Sequence, residues 1–328
     1  MTQPGRSSHP PVRVAFVGVG HFGSQHVRVA KELPGICCVG IYDRHDGRAQ
    51  EVAGEFDLPA FPSLDAVVEA AQAVVVATPT ASHAEITEYL LDRGRDVLVE
   101  KPITATVAEA ERLIQKARSG GRILAVGHIE RHNPAVEAAL GLVGVAQFVE
   151  VHRLGVFTRR SLDVDVVLDL MIHDLQIVRG LVGRAPVEIR AVGMPVLTPT
   201  IDIANARIAF EGGCIANLTA SRVSAEKVRK CRIFGPAHYV SIDMKAQSLQ
   251  AFRLSREKGH PEILPVQVPV RREEPLAREL TDFARAVAER TSPLVTGEVG
   301  RDALVLAREI LAAIDRHREA ARLDGPPS

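Results

Sequence analysis

The fold of this 328-residue chain is decided by the stretch VRVAFVGVGHFG, residues 12–23. Its apolar, largely β-branched first half predicts a buried strand, and Gly18, Gly20 and Gly23 follow as G-x-G-x-x-G. Glycines at this spacing allow a tight turn, close approach of a pyrophosphate to the backbone, and close helix–strand packing. A helix beginning at His21 and Phe22 would direct its free N–H groups at that anion. Glycine-rich turns are common, so the interpretation depends on the context: a strand before, a helix after, and Asp43 at the next strand end.

Strand-like runs alternate with helix-like stretches over the first third of the chain, which is typical of a doubly wound parallel sheet, a Rossmann fold. The runs are residues 12–17, 36–42, 73–77, 97–99 and 123–126. After Gly127, strand-like segments follow one another from about residue 187 to 254 with no helix between them, which predicts a mainly antiparallel open sheet. The predicted class is α/β, with a polar tail at 1–10, a Rossmann domain at 11–128, a substrate-binding domain at 129–322 and a tail at 323–328.

Composition excludes several classes of function. Lys+Arg and Asp+Glu both number 40, so no overall field favours nucleic acid or an anionic membrane. No apolar run approaches the roughly 18–20 residues that a membrane span needs, and the polar N-terminus is no signal peptide. The four cysteines lack metal-binding or redox spacing, so we expect reduced thiols in a cytoplasmic protein without a metal site.

The cofactor expected at the glycine turn is NAD. Asp43 is positioned to bind the adenosine ribose hydroxyls and would repel a 2′-phosphate, although Arg44 could accommodate that phosphate in NADP. Thr78, Pro79 and His83 follow the third strand and would line the same crevice; the alternative is a strand ended by proline with a capped helix after it.

Lys101 stands at the end of a buried run, between Glu100 and Pro102. Pro102 restricts its backbone, and a lysine at this sheet edge can face a substrate beyond the cofactor. A surface lysine is the alternative. Asp169 and His173 lie four residues apart on one face of an apolar helix, which suits either a catalytic pair or a polar pair within the core.

Basic residues cluster around that helix in sequence. Arginine suits phosphate because its planar fork donates paired hydrogen bonds, although charge runs are often only solvated faces. The candidates for substrate contacts are Arg131, Asn133, Arg153, Arg159, Arg160 and Lys227, with Arg229 and Lys230 next to the last of these.

In combination, these motifs resemble the glucose-fructose oxidoreductase/inositol dehydrogenase family. The pieces that carry the resemblance are residues 18–23, 78–83, Glu100-Lys101-Pro102, 127–134 and Asp169-x-x-x-His173. The resemblance implies that Lys101, Asp169 and His173 form a catalytic triad, that Glu100 contributes with Lys101 to the cofactor site, and that the open sheet holds a homodimer or homotetramer together. Residues 149–154, 160–174 and 221–230 look like the nucleotide-sugar branch, the bacterial UDP-N-acetylglucosamine 3-dehydrogenases of amino-sugar and lipid A pathways.

The expected function is oxidation of a sugar ring hydroxyl by hydride transfer to NAD. Lys101 or His173 would take the hydroxyl proton, and Asp169 would orient or charge-balance them. Two alternatives remain: a relative acting on a free polyol, a simple sugar or a linear tetrapyrrole, and a non-catalytic NAD-binding regulator.

Overall fold

A computed structural model describes residues 9–158, 164–257 and 260–321. These residues form two compact units. The first runs to Ile129 and includes Glu274–Arg301, and the second comprises Glu130–Glu273 together with the chain from Asp302 onward. Both predicted tails, apart from residues 9 and 10, lie outside the described residues, as do Arg159 and Arg160.

The first unit contains a five-stranded, fully parallel sheet in the order β2-β1-β3-β4-β5. Its strands are β1 (Val12–Val17), β2 (Ile36–Tyr42), β3 (Ala73–Val76), β4 (Asp96–Glu100) and β5 (Leu124–Gly127). The helices between them are α1 (His21–Lys31), α2 (Asp46–Phe56), α3 (Leu64–Ala70), α4 (His83–Asp92) and α5 (Val107–Ser119). The near-continuous burial of β1, β3, β4 and β5 reflects helices on both faces of the sheet.

A minimal sixth strand extends this sheet beyond β2. Ala60 forms an isolated parallel bridge with Ile41, Phe61 N–H donates to the Ile41 carbonyl at 2.7 Å, and Ile41 N–H donates to the Pro59 carbonyl at 3.0 Å. Counting this segment gives the order 3-2-1-4-5-6 of the dinucleotide-binding fold. This strand is so short that the sequence has no apolar run from which it could be predicted.

Residues 274–301 belong with the parallel sheet, although the sequence prediction placed them in the second domain. Helix α8 (Pro275–Glu289) buries Leu280 and Phe283 in the core that includes Phe16 and Leu98. Helix α9 (Gly297–Ala320) begins in the first unit, where a Cβ on Gly300 would lie 2.6 Å from Val126 Cγ2. Helical periodicity identifies an apolar face but not the sheet that covers it.

The second unit contains an eight-stranded sheet in the order β13-β12-β11-β10-β6-β9-β8-β7. Only β6 and β9 pair in parallel; the other neighbours are antiparallel, as predicted. The strands are β6 (Phe148–Leu154), β7 (Pro186–Met194), β8 (Ile203–Phe210), β9 (Ile215–Ser221), β10 (Val228–Phe234), β11 (His238–Asp243), β12 (Ser248–Ser255) and β13 (Glu262–Val266). Edge strand β13 was not predicted because Pro265 interrupts its short apolar pattern.

The helices α6 (Pro134–Leu142) and α7 (Ile172–Val182) accompany this sheet, together with the part of α9 from Asp302 onward. The Asn133 side chain caps α6 by accepting from Ala135 N–H at 3.1 Å, with Pro134 at the first helical position, as predicted. The fold class, a Rossmann domain plus an α/β domain with a large, mainly antiparallel sheet, is confirmed. Within the described ranges, no helix combines the length and apolar character that a bilayer span requires.

Candidate active site

The glycine turn of the first unit requires glycine at two of its three positions. Gly18 has φ +82°, and a Cβ there would lie 2.8 Å from the Thr78 backbone nitrogen. A Cβ on Gly23 would lie 2.0 Å from the Gly18 carbonyl oxygen. A Cβ on Gly20, in contrast, would meet nothing within 4 Å, so the backbone there is open to a ligand. The turn therefore has the shape that a pyrophosphate site needs.

Helix α1 begins at this turn with its N-terminus uncapped by any side chain, because its N-cap residue is Gly20. The first-turn residues His21 and Phe22 are exposed, and the Phe22 ring packs edge-on against His26 with centroids 5.2 Å apart. The free N–H groups and the positive dipole end therefore remain available to an anion.

Asp43 holds the glycine turn in place. Its Oδ2 accepts from Val19 N–H at 2.9 Å and its Oδ1 accepts from His45 N–H at 2.9 Å, while Arg48 Nε donates to the Val19 carbonyl at 2.8 Å. Arg44 next to it is exposed, and its Nε donates to the ring Nε2 of His45 at 3.3 Å. The carboxylate retains lone pairs for further donors, such as ribose hydroxyls.

His83 connects the two loops that the sequence assigns to this site. Its Nε2 lies 2.8 Å from the Thr78 carbonyl and its Nδ1 lies 2.9 Å from the Pro102 carbonyl. Burial lowers the pKa of His83, although both carbonyls oppose that shift. Because its ring is buried at 1% exposure, His83 positions the loops beside Pro79 and Lys101.

Lys101 follows the end of β4 and is half-buried, and its peptide bond to Pro102 is cis. Its backbone N–H donates to Glu100 Oε2 at 3.2 Å, and Glu100 Oε1 lies 2.8 Å from His26 Nε2. The Glu100 carboxylate, predicted as a cofactor contact, is therefore engaged by two protein groups. It secures the backbone from which the Lys101 side chain extends.

In the second unit, Asp169 lies in a π-helical turn, Val167–Met171, that leads directly into α7 with His173 in its first turn. Val167, Met171 and Ile172 are buried, whereas Asp169 and His173 are both half-exposed. Turns of this type are rare in proteins overall, and those that occur are often at functional sites. The two side chains therefore sit at the edge of an apolar helix rather than within its core.

Asp169 lines a pocket of about 280 Å³ together with three cations. Arg229, then partial burial and Lys245, lower the pKa of Lys227, which shows how closely the positive charges are placed. The full lining is Gly155, Val156, Thr158, Asp169, Leu170, Arg222, Lys227 and Arg229. The lining itself carries three cations and one carboxylate, which suits a ligand with an anionic group, although Arg222 and Arg229 also lie beside carboxylates outside the lining.

Arg222 is a pocket residue that charge and spacing alone do not single out. Its Nη2 donates to the Val164 carbonyl, and its Nε lies 3.7 Å from Asp202 Oδ1. Arg229 Nη1 donates to Glu130 Oε1 at 3.0 Å. Both arginines are thereby held in position in the pocket wall. Arg222 lies in the connection between β9 and β10, and Arg229 lies at the start of β10.

Arg153 is not in this lining. Its guanidinium is 2% exposed, donates to both Asp174 oxygens at 2.8 Å, and donates to Glu130 Oε1 at 2.8 Å. Burial disfavours the charge, but Asp174 and Glu130 outweigh it and raise the pKa of Arg153. Its predicted contact with substrate phosphate has no support in this environment.

Two further predicted substrate contacts lie at the start of the second unit. Asn133 Nδ2 donates to the Met244 carbonyl at 2.9 Å, so with its capping bond both ends of the amide are used by the protein. Arg131 is half-buried and does not line the cationic pocket.

Comparison with known proteins places these features in a family. The profile described as "Oxidoreductase family, NAD-binding Rossmann fold" matches residues 12–128, and the GFO/IDH/MocA C-terminal domain matches residues 107–240. The UDP-N-acetylglucosamine 3-dehydrogenase of Acidithiobacillus ferrooxidans is 36% identical over 93% of this chain and 97% of its own length. Its solved structure has a TM-score of 0.86 at 35% identity, covering 93% of this chain and 98% of that one.

More distant relatives match over most of their length. The scyllo-inositol 2-dehydrogenase (NAD(+)) of Bacillus subtilis is 26% identical, covering 87% of this chain and 89% of that protein. An inositol dehydrogenase homolog from Azotobacter vinelandii, solved with NADH and myo-inositol, has the same fold, with a TM-score of 0.81 at 20% identity and coverage of 93% and 96%. The glycine turn, the lysine after β4, the Asp–His helix and these matches together identify the chain as an enzyme of the glucose-fructose oxidoreductase/inositol dehydrogenase (GFO/IDH/MocA) family of oxidoreductases.

Proposed function

We propose that this enzyme oxidises a ring hydroxyl of a nucleotide sugar with NAD, and that the reaction is oxidation of UDP-N-acetylglucosamine at C3 to the 3-keto sugar. The observation that carries the proposal is the pocket in which Asp169 lies beside Arg222, Lys227 and Arg229. It combines a carboxylate expected to act in catalysis with cations suited to a diphosphate. The 36% identity to the Acidithiobacillus enzyme supports the same substrate.

The first unit fits NAD. Gly18, Gly20 and Gly23 would hold the pyrophosphate at the uncapped start of α1, and Asp43 would accept from the ribose hydroxyls. A carboxylate there disfavours a 2′-phosphate, which supports NAD over NADP. When bound, NAD supplies the hydride acceptor for oxidation of the hydroxyl carbon.

The chain's own residues handle the proton. We assign the hydroxyl proton to the Lys101 amine or the His173 imidazole, each of which becomes positively charged on accepting it. Asp169 balances that charge and orients its partner. The anionic diphosphate would bind Lys227 and Arg229, which anchors the sugar at a remote point and orients its hydroxyl.

Turnover by alanine variants tests the catalytic assignment. Loss of general acid–base help lowers rates by about 10²–10⁴-fold, so Lys101→Ala and His173→Ala should each lower kcat by that amount. Thermal unfolding with NAD absent serves as the control for folding, and the Tm of both variants should stay close to that of wild type. Normal kcat in both variants would refute the assignment. Tight NAD binding with no NADH formation on any sugar would favour a regulator.

A matched pair of lysines tests the substrate class. Lys227 lines the pocket, whereas the exposed Lys230 does not. We expect Lys227→Ala to raise KM for UDP-N-acetylglucosamine at least about tenfold, since a charge-assisted hydrogen bond contributes about 1.5–3 kcal/mol. Lys230→Ala should leave KM unchanged. Equal effects of both variants, or better turnover of a free polyol than of the nucleotide sugar, would refute the diphosphate assignment.

We also propose that the antiparallel sheet holds a homodimer or homotetramer together. Four rings form a row across neighbouring strands: Phe148, Phe234, Tyr239 and Phe252, with successive centroids 5.7, 4.8 and 6.0 Å apart. Phe234 is 37% exposed. Light scattering should give a dimer or tetramer mass that falls to the monomer mass in Phe234→Glu, and an unchanged oligomer in that variant would argue against this surface.

A further inference from the structure

A cluster of ionisable groups is buried in the first unit. His26 on α1, Glu100 at the end of β4 and Glu279 on α8 are 0%, 8% and 2% exposed. One donor or acceptor atom of each side chain lies within 4.8 Å of those of the other two. None of the reaction steps described above uses Glu279 or His26.

Among the described residues, Glu279 is the carboxylate of this cluster without a hydrogen-bond donor, and Nδ1 of His26 also lacks a partner. Glu100 binds His26 through one oxygen at 2.8 Å and the Lys101 N–H through the other at 3.2 Å. Neither oxygen of Glu279 has a hydrogen-bond donor among the described residues. A buried carboxylate without donors is costly, so the ionised form is disfavoured here.

The charges around Glu279 act in the same direction. It faces Glu100 from β4, Asp282 from its own helix α8, and His26 from α1. Burial first, then the negative charges of Glu100 and Asp282, raise the pKa of Glu279 well above its ordinary value. The neutral acid has a proton to donate, and the cluster offers two acceptors within 4.8 Å, the Glu100 carboxylate and the His26 ring. The carboxylate is the stronger acceptor of the two, because a charged oxygen forms the shorter and stronger hydrogen bond.

We propose that Glu279 remains protonated and donates a hydrogen bond to Glu100, and so acts as a positioning residue for Lys101. The proposal rests on the role of Lys101 proposed above. Gly127 contributes to the same arrangement, because a Cβ there would lie 2.6 Å from Glu100 Oε1. His26, Gly127 and Glu279 then confine the Glu100 carboxylate, whose other oxygen holds the Lys101 backbone.

The distance between His26 and Glu100 favours a hydrogen-bonded cluster over a metal site. Two ligands at 2.0–2.1 Å from a tetrahedral metal stand about 3.3 Å apart. The separation of 2.8 Å between His26 Nε2 and Glu100 Oε1 is instead that of a direct hydrogen bond. Metal analysis of the purified enzyme is part of the test, and one divalent ion per chain that is lost in the Glu279→Gln variant would overturn the proposal.

The kinetic test compares two substitutions at Glu279. Glu279→Met has similar volume but no donor, and we expect its kcat to fall about tenfold with the KM values for NAD and sugar within twofold. Glu279→Gln keeps a neutral donor and should recover most of that loss. If Glu279 had only a structural role, Glu279→Met would have a lower Tm but a normal kcat at temperatures below its unfolding transition. Unchanged kcat in Glu279→Met, while Lys101→Ala is inactive, would overturn this inference alone; an active Lys101→Ala would instead refute the proposed function.

Stability against pH gives a second readout that does not depend on activity. A carboxyl whose folded pKa is raised contributes stability that is lost as pH rises through that pKa. Wild type should therefore lose Tm from pH 5 to pH 9 relative to Glu279→Gln, so the variant's advantage grows with pH. Glu289→Gln, at the exposed end of α8, should track wild type. A Glu279→Gln difference that is constant with pH, or that shrinks as pH rises, would overturn the proposal.

Discussion

Substitution of Arg153 by methionine separates a structural role from the substrate contact that the sequence predicts. The change removes three hydrogen bonds of 2.8 Å and leaves Asp174, at 2% exposure, without its partner. Breaking a buried ion pair from one side costs about 3–5 kcal/mol, because an uncompensated charge remains. Glu130 loses less, since Arg229 still donates to it at 3.0 Å. The structure therefore predicts a loss near the middle of that range.

A surface ion pair between β6 and β10 is the control. Arg232 Nη1 lies 3.3 Å from Glu150 Oε2, with side chains 46% and 29% exposed. Because solvent screens such a pair, Arg232→Met should cost no more than about 1 kcal/mol. The double variant Arg153→Met/Asp174→Leu removes both buried charges, so it should be more stable than Arg153→Met alone.

The assay is thermal unfolding with NAD absent, followed by urea unfolding for the free energy. A loss of 3–5 kcal/mol corresponds to a fall of about 6 °C or more in the Tm of the second unit. A structural role for Arg153 is refuted if Arg153→Met has the same Tm and the same free energy of unfolding as Arg232→Met. If Arg153→Met instead keeps the stability of wild type but has a higher KM for the nucleotide sugar, then Arg153 binds substrate, as the sequence predicted.

Three further outcomes follow from local geometry. Gly23→Ala should destabilise the enzyme by about 1–3 kcal/mol and weaken NAD binding, because its Cβ would overlap the Gly18 carbonyl; calorimetric titration that finds wild-type affinity would contradict this. Because the pKa of His83 is lowered in the folded protein, the unfolded chain binds a proton more readily, and stability should fall as pH drops below about 6.5. A His83→Gln variant with the same decrease in Tm would exclude His83 as the source. Thr106→Ala removes the hydroxyl that accepts from the Glu109 N–H, while the backbone N–H of residue 106 can still donate to the Glu109 carboxylate. The change should cost about 0.5–2 kcal/mol in urea unfolding, whereas no change would show that the hydroxyl cap does not stabilise α5.

Features that depend on neighbours in sequence were predictable. The glycine turn, the Thr106 cap and the Asn133-Pro134 helix start each consist of residues within a few positions of one another. Their conformations follow from backbone sterics and local hydrogen bonds, so composition and spacing are enough to identify them. The order of these motifs also predicted the family.

Features that depend on distant residues were not predictable in the same way. Arg153 has the spacing of a substrate contact, but residues 21 and 23 positions away complete its hydrogen bonds. Arg222 enters the cationic pocket because the connection after β9 lies beside the turn that contains Asp169. Neither burial nor partnership is visible in the type of a charged residue.

By itself, the sequence determined the parallel and antiparallel sheets and the glycine turn, because these depend on short apolar periods or on motifs of adjacent residues. The same motifs suggested Lys101, Asp169 and His173 as the candidate catalytic residues. Only the tertiary structure decided which charges are desolvated and which line a pocket. That choice separates Arg153 from Lys227 and brings Glu279 to Glu100 across 179 positions of chain. The physical reason is that the free energy of a charge depends on its solvent exposure and its partners, which folding sets at long range.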